Sequence, residues 1–234
     1  MDFLSIHELY QRFGEPRKIK VERMDGAPCS PEVPSYSVMP AQLAIPSDEV
    51  SDPRIIISDF GEAWLSDTET REELQTPVLF LPPETTFSRK LNGKPADVWT
   101  LGCTLYEILG ERPLFEGFMP DKDDIIAEMV SCLGLLPQHW WQSWQARGDF
   151  FLEDGSWKTD MKHFHESKSR PLLLRIHQMG RENDSEFSED EAKSMEKMVR
   201  TMLTYEPTKR ATAREIMESD WMTRWGLPAL EKLM

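Results

Sequence analysis

The chain has 234 residues, with 27 basic and 41 acidic side chains and a net charge of −14. That length suffices to bury a real core, and 39% hydrophobic with 29% charged residues is a globular composition, which argues against wholesale disorder. The acidity argues against a nucleic-acid-binding face and against docking on anionic lipid, and leaves a basic protein or peptide partner open. Cys29, Cys103 and Cys132 are scattered and odd in number, with no CxxC or Cys/His ligand spacing. Neither a disulfide framework nor a zinc site is expected, and a reducing, intracellular compartment (cytoplasm, nucleus or both) is the default. No basic region followed by an apolar run opens the chain, so no signal peptide is expected, and no run of about 18 apolar residues predicts a membrane span.

In chain order, Ser5 and Glu8 form a capping box that predicts a short helix over Ile6–Phe13. Seven of the 17 prolines then fall between residues 16 and 53, which predicts an extended surface segment packed on a larger body. Val33–Pro34 and Val38–Pro40 suit a polyproline helix or an edge strand. Arg54–Ile57 reads as a short buried strand by composition. Residues 62–93 are loop-like. From Pro95 the pattern turns helical, with Trp99, Cys103, Tyr106 and Leu109 on one face. Leu101, Leu105 and Ile108 fill the gaps, so a helix buried on nearly all sides is expected, closed by Gly110. Asp121 and Asp124 open a second helix, through Ile125, Ile126, Met129 and Val130 to Leu133–Gly134. Trp140, Trp141 and Trp144 mark a helical turn expected to serve as core packing rather than as a binding platform. A short helix is expected at Leu172–Gln178. Capping boxes at Ser188/Glu191 and Thr212/Glu215 start two more helices, the first carrying Met195, Met198, Val199, Met202 and Leu203. The five histidines, including His163 and His165, form no ligand or base–nucleophile arrangement.

Four pieces, taken in order and spacing, resemble the C-terminal lobe of a eukaryotic protein kinase. Ile55-Ile-Ile-Ser-Asp59-Phe60-Gly61 resembles the strand that runs into a DFG motif. Pro82-Pro83-Glu84 stands where the family has Ala-Pro-Glu, 84 − 59 = 25 residues beyond Asp59. Lys94-Pro-Ala-Asp97-Val-Trp99, with Leu101-Gly102 and Glu107, is similar to the long central helix. Pro207-Thr-Lys-Arg210-Ala-Thr-Ala is similar to the arginine segment before the last helix. Asp59-Phe-Gly-Glu62-Ala63, the Pro113–Gly117 segment and the proline-rich stretch before DFG resemble fungal kinases related to the SR-protein kinases. His7–Gly14 fits an insert that such kinases carry before DFG. The resemblance implies an α-rich (α+β) kinase C-lobe without the N-lobe, with a few short strands around residues 54–64. It divides the chain into a proline-rich insert, 1–53, and a partial kinase domain, 54–234.

By that resemblance Asp59 is the carboxylate that holds Mg²⁺ between the ATP phosphates, because Mg²⁺ prefers hard oxygen ligands. Phe60 is a packing residue and Gly61 permits the backbone turn. Glu84 and Arg210 form a buried ion pair that ties the activation segment to the last helices. Asp97 accepts backbone N–H bonds from the catalytic loop. Ser66, Thr68, Thr70 and Thr76 are activation-segment hydroxyls, ordinary loop residues or phosphorylation sites; Thr76 lies one residue off the family threonine. The acids Asp121, Asp123, Asp124 and Glu128 suit a helix start through its dipole, or extend an acidic groove for Arg/Ser-rich peptides.

The sequence contains no GxGxxG, no VAIK-like lysine and no HRD. A nucleotide-binding lobe of five strands and a helix needs roughly 65 residues, and only 58 precede Asp59. Two readings follow. One is a serine/threonine kinase, using ATP and Mg²⁺, that is present as a truncated chain inactive alone. The other is a truncated pseudokinase serving as an acidic protein-binding module. Apolar surface near Ile55–Phe60 and Trp99 is expected to be exposed.

Overall fold

The computed structural model describes residues 5–40, 54–117, 119–158, 169–179 and 187–232. Residues 41–53 of the proline-rich stretch and the histidines His163 and His165 lie outside them. The chain divides into two compact units, Met1–Ser58 and Asp59–Met234.

In the first unit, helix α1 covers Ile6–Phe13. Ser5 Oγ accepts from the Glu8 N–H, and the Glu8 carboxylate accepts from the Ser5 N–H at 2.7 Å, so two otherwise orphaned donors are satisfied. Strands β1, Lys18–Lys20, and β2, Tyr36–Val38, pair antiparallel in the register Lys18↔Val38, Ile19↔Ser37, Lys20↔Tyr36. The Lys18 ammonium sits 4.7 Å from the Tyr36 ring centroid. None of the described residues of this unit is buried.

Arg54–Ile57 forms no strand, and its isoleucines are 88%, 90% and 76% exposed, which corrects the buried strand expected there. β propensity measures fit to a half-buried pleated surface, and among the described residues no strand runs alongside to provide one. The short strands expected around the DFG segment are therefore missing. Among the described residues of the second unit, strand-like pairing consists of single bridges, Arg71 with Leu91 and Phe151 with Trp157.

The second unit is helical: α2 Glu84–Phe87, α3 Gly93–Gly110, α4 Lys122–Leu133, α5 Gln138–Ser143, α6 Arg147–Phe150, α7 Leu172–His177, α8 Glu189–Met202, α9 Ala213–Met217 and α10 Leu227–Glu231. Helix α4 begins in a capping box of Asp121 with Asp124 and ends at Gly134, whose φ of 95° only glycine adopts cheaply. Ser188 caps α8, and Thr212 with Glu215 forms the box that starts α9. A π-helical turn, Met222–Gly226, joins α9 to α10 and was not foreseen from the sequence.

Helix α3 lies at the centre of the core. Trp99, Cys103 and Tyr106 share one buried cluster with Leu114, Phe115, the α4 residues Ile125, Ile126 and Met129, and α8 residues such as Met198 and Met202. A Cβ on Gly102 would come within 3.1 Å of both Met202 Cβ and Leu203 Cδ2, so this glycine sets how closely α3 approaches α8. Two expectations for α3 are corrected. Leu101 and Ile108 are 44% and 69% exposed, so one face is open rather than buried. Trp99 is fully buried, stacked on Phe115 at 6.0 Å, rather than part of an exposed apolar surface. The helix runs through Gly110, and Glu111 takes the left-handed closing position, φ 55°. Trp140 and Trp144 are buried: Phe87 stacks on Trp140 at 5.2 Å and Phe150 on Trp144 at 5.7 Å, the packing role expected of them.

Candidate functional site

Asp59 opens the second unit in the left-handed region, φ 62°, ψ 59°. Aspartate is one of the few non-glycine residues that visits this region readily, because its short carboxylate compensates locally. A 3₁₀ turn, Phe60–Glu62, follows. The left-handed dihedral falls on Asp59, and Gly61 lies inside the 3₁₀ turn that follows. Phe60 is 67% exposed rather than packed, since no described residue of its unit closes over it. The Asp59 carboxylate is exposed, with no hydrogen-bond or ion-pair partner among the described residues.

The segment beyond this turn is tied to the start of α3. Arg71 pairs with Glu62 at 2.7 Å and lies 4.9 Å over the Trp64 ring. The Leu91 N–H donates to the Arg71 carbonyl at 2.9 Å, and Lys94 pairs with Asp67 at 2.6 Å. Trp64 and Ser66 cover Gly93, where any Cβ would stand 3.0 Å from the indole. Ser66 and Thr76 are half-buried; Thr68 and Thr70 are exposed, with the Thr68 hydroxyl donating to the Leu65 carbonyl.

The far end of the segment is locked at Glu84, which is buried with Arg210 at 3% and 0% side-chain exposure. Two parallel bonds of 2.8 and 2.9 Å join guanidinium to carboxylate, the bidentate geometry that makes such pairs strong. The Arg210 side chain also donates to the carbonyls of Thr204 (3.0 Å), Pro95 (2.6 Å) and Tyr205 (3.1 Å). All the donors a guanidinium carries are thereby used. Trp99 lies beneath it, 5.0 Å from its centre. One side chain therefore joins the segment end, the central helix and the turn after α8.

Asp97 stands at the surface of α3 without a hydrogen-bond partner among the described residues. Burial of its carboxyl among neighbouring atoms raises its pKa above the ordinary carboxylate value. A folded-state pKa above the unfolded one means that ionised Asp97 costs stability at neutral pH, and the cost vanishes as the pH falls through the carboxylate range. Asp97→Asn is therefore expected to keep or raise the melting temperature at pH 7, with the difference narrowing as the pH is lowered. Thermal unfolding at several pH values checks this. A lower melting temperature at pH 7 would mean that the carboxylate is bonded within this fold.

The sequence reading missed a second buried network. Arg175 on α7 reaches Glu128 on α4 at 2.9 Å, with both side chains buried. Arg175 also donates to the carbonyls of Leu114 (2.6 Å) and Arg170 (2.8 Å), and its own carbonyl accepts from the Tyr106 hydroxyl at 3.1 Å. Arg170 bridges Glu128 and Glu116, and Arg112 beside Glu116 pulls that carboxyl's pKa down. Glu128 is thus engaged inside the core, neither as a helix-start acid nor as part of an acidic groove. The signal was present: a lone Glu in the apolar run of α4 and a lone Arg in that of α7 must find each other once buried. The other acids of the cluster are engaged too. Asp121 and Asp124 cap α4, and Asp123 accepts from the Trp144 indole at 2.6 Å.

Burial pushes the Cys103 and Cys132 thiols upward, Cys132 to about 12, so neither is a thiolate at neutral pH. Among the described residues no group of three or more His, Cys, Asp or Glu side chains is placed to hold a metal ion, and no helix is long and apolar enough to cross a membrane.

Asp59, without a partner among the described residues, thus stands 84 − 59 = 25 residues before the bidentate Glu84–Arg210 lock. The chain belongs to the protein kinase domain family, whose model matches residues 47–222. It is 26% identical over 172 residues to a serine/threonine protein kinase of Aspergillus fumigatus, an alignment that covers 71% of this chain and 40% of that one. Against the serine/threonine-protein kinase SKY1 of Saccharomyces cerevisiae it is 28% identical over 176 residues, 72% of this chain and 22% of the other. Against the serine/threonine-protein kinase SRPK of Physarum polycephalum it is 28% identical over 174 residues, 73% and 38% respectively. The matches thus span less than half the length of these relatives.

Proposed function

We propose that residues 54–234 are the C-terminal-lobe part of a protein serine/threonine kinase, with 1–53 as an insert, and that the chain by itself does not transfer phosphate. The observation that carries this reading is the Glu84–Arg210 lock closing a segment that begins at an unpaired, exposed Asp59. A carboxylate with free oxygens fits a Mg²⁺ ligand, since Mg²⁺ is commonly held by one or two carboxylates together with substrate phosphates. Bound there, Mg²⁺ and ATP would supply the transferable phosphoryl group. Asp59 is a single ligand, however, and the sequence offers no catalytic-loop Asp or Asn and no ATP-binding Lys to complete the site. Absence of the base alone removes about 10²–10⁴ in rate. Asp97, at the surface of α3 with no hydrogen-bond partner among the described residues, fits a helix that receives backbone donors of a catalytic loop.

Within this reading the substrates are protein hydroxyls, and the −14 charge favours basic Arg/Ser-rich segments through electrostatic steering. The alternative of an acidic binding module loses support from Glu128, Asp121, Asp123 and Asp124, whose carboxylates are engaged internally. Free Cys29, Cys103 and Cys132 fit a reducing intracellular setting. A thermal shift tests the nucleotide half. Mg·ATP at 100 times its dissociation constant would add about 2.7 kcal/mol of stability. The expected result at millimolar Mg·ATP is an unchanged melting temperature, and a clear rise would mean that the nucleotide site is more complete than proposed.

A further inference from the structure

The first unit ends in a run that neither packs nor pairs. Ile55, Ile56 and Ile57 are 88%, 90% and 76% exposed and lie in no helix, strand or turn. No backbone N–H or carbonyl of residues 55–58 makes a hydrogen bond among the described residues. Arg54, itself exposed, stands directly before this run. Basic residues elsewhere sit on closed backbone. Arg23 begins a turn in which its carbonyl accepts from the Gly26 N–H at 3.1 Å. Lys90 precedes Leu91, which is 1% exposed and donates its N–H to the Arg71 carbonyl. Lys193, Lys197 and Arg200 lie within α8.

We propose that the Arg54–Ile55 bond is a processing site for an endoprotease that takes arginine immediately before the cut. The guanidinium suits an acidic specificity pocket, as in trypsin-like enzymes. One water is consumed: the Arg54–Ile55 amide bond breaks, Arg54 is left with a carboxylate and Ile55 with an α-ammonium. A bond inside α8 is cut only in the fraction of molecules that has opened, whereas this backbone is open in the folded chain. The cut falls 58 − 54 = 4 residues before the boundary between the two units. The buried core lies wholly in the second unit, and no described residue of the first is buried, so the cut takes nothing from that core. The Asp59 segment then begins four residues from a chain end, while Arg210 still locks its far end at Glu84. This inference does not depend on whether the chain transfers phosphate.

Brief digestion of the full chain with dilute trypsin under native conditions, read by intact mass and N-terminal sequencing, tests the proposal. The expected result is a product that begins at Ile55, formed at least about a hundredfold faster than cuts after Lys193, Lys197 and Arg200, which need opening of a core helix. Arg54→Gln is expected to lose that product and keep the slow cuts in α8. The urea midpoint of the second unit is expected to be the same before and after the cut. Cutting within α8 while Arg54–Ile55 stays intact, a product beginning at Ile55 that persists in Arg54→Gln, or a midpoint that falls after the cut overturns the proposal. Arg54 is exposed, so retained far-UV circular dichroism shows that the variant keeps the fold, and the digestion and midpoint of the parent chain test the proposal without it.

Discussion

Replacing Arg210 with alanine is expected to lower the stability of the second unit by about 3–5 kcal/mol, because it strands a buried Glu84 carboxylate. A domain of ordinary stability holds only about 5–15 kcal/mol in total, so the loss takes a large part of it. Three carbonyls, those of Pro95, Thr204 and Tyr205, also lose their donor. For that reason removing both charges together, Glu84→Leu with Arg210→Met, is expected to recover only part of the loss. Arg210→Lys should also fail, since an ammonium has three donors and no fork to meet a carboxylate in two parallel bonds. Urea unfolding midpoints of the single and double variants check this. A midpoint unchanged in Arg210→Ala would remove the lock from the account.

Glu128→Ala is the second large effect, again about 3–5 kcal/mol, because it leaves Arg175 as a buried unpaired charge between α4 and α7. Arg170 is itself a cation and cannot neutralise Arg175, and Glu116 is already paired with Arg112 at 2.7 Å and Arg170 at 3.4 Å. The same substitution separates two roles for Glu128. A residue of a peptide groove would change peptide binding with stability intact; a core residue changes the unfolding midpoint first. Chemical denaturation of Glu128→Ala beside peptide binding at the same temperature distinguishes them, and the structure predicts that the midpoint falls.

These two pairs also mark where sequence reading succeeds and where it stops. The capping boxes of Ser5 with Glu8, Asp121 with Asp124 and Thr212 with Glu215 are legible because each is closed within four residues. The buried face of α8, from Met195 to Met202, is legible for the same local reason, its helical period. Glu84 and Arg210 are 126 positions apart, and only the family resemblance joined them. Glu128 and Arg175 are 47 apart with no motif to point at them, so Glu128 was grouped with the acids beside it in sequence. The Arg54–Ile57 strand failed because pairing depends on a neighbour that composition does not report. Leu101 and Ile108 show the same limit on α3: an apolar side chain records a tendency to be covered, and what covers it lies elsewhere. The left-handed backbone of Asp59, ahead of the turn that contains Gly61, carries no sequence signal.

The central claim is that this kinase-family chain holds the Asp59 segment in place but lacks the groups that perform transfer. Incubation of the purified chain with Mg²⁺, labelled ATP and an Arg/Ser-rich peptide tests it most directly, with Asp59→Asn alongside. The account predicts no label on the peptide above a protein-free blank. Label that appears with the parent chain and disappears with Asp59→Asn would contradict it.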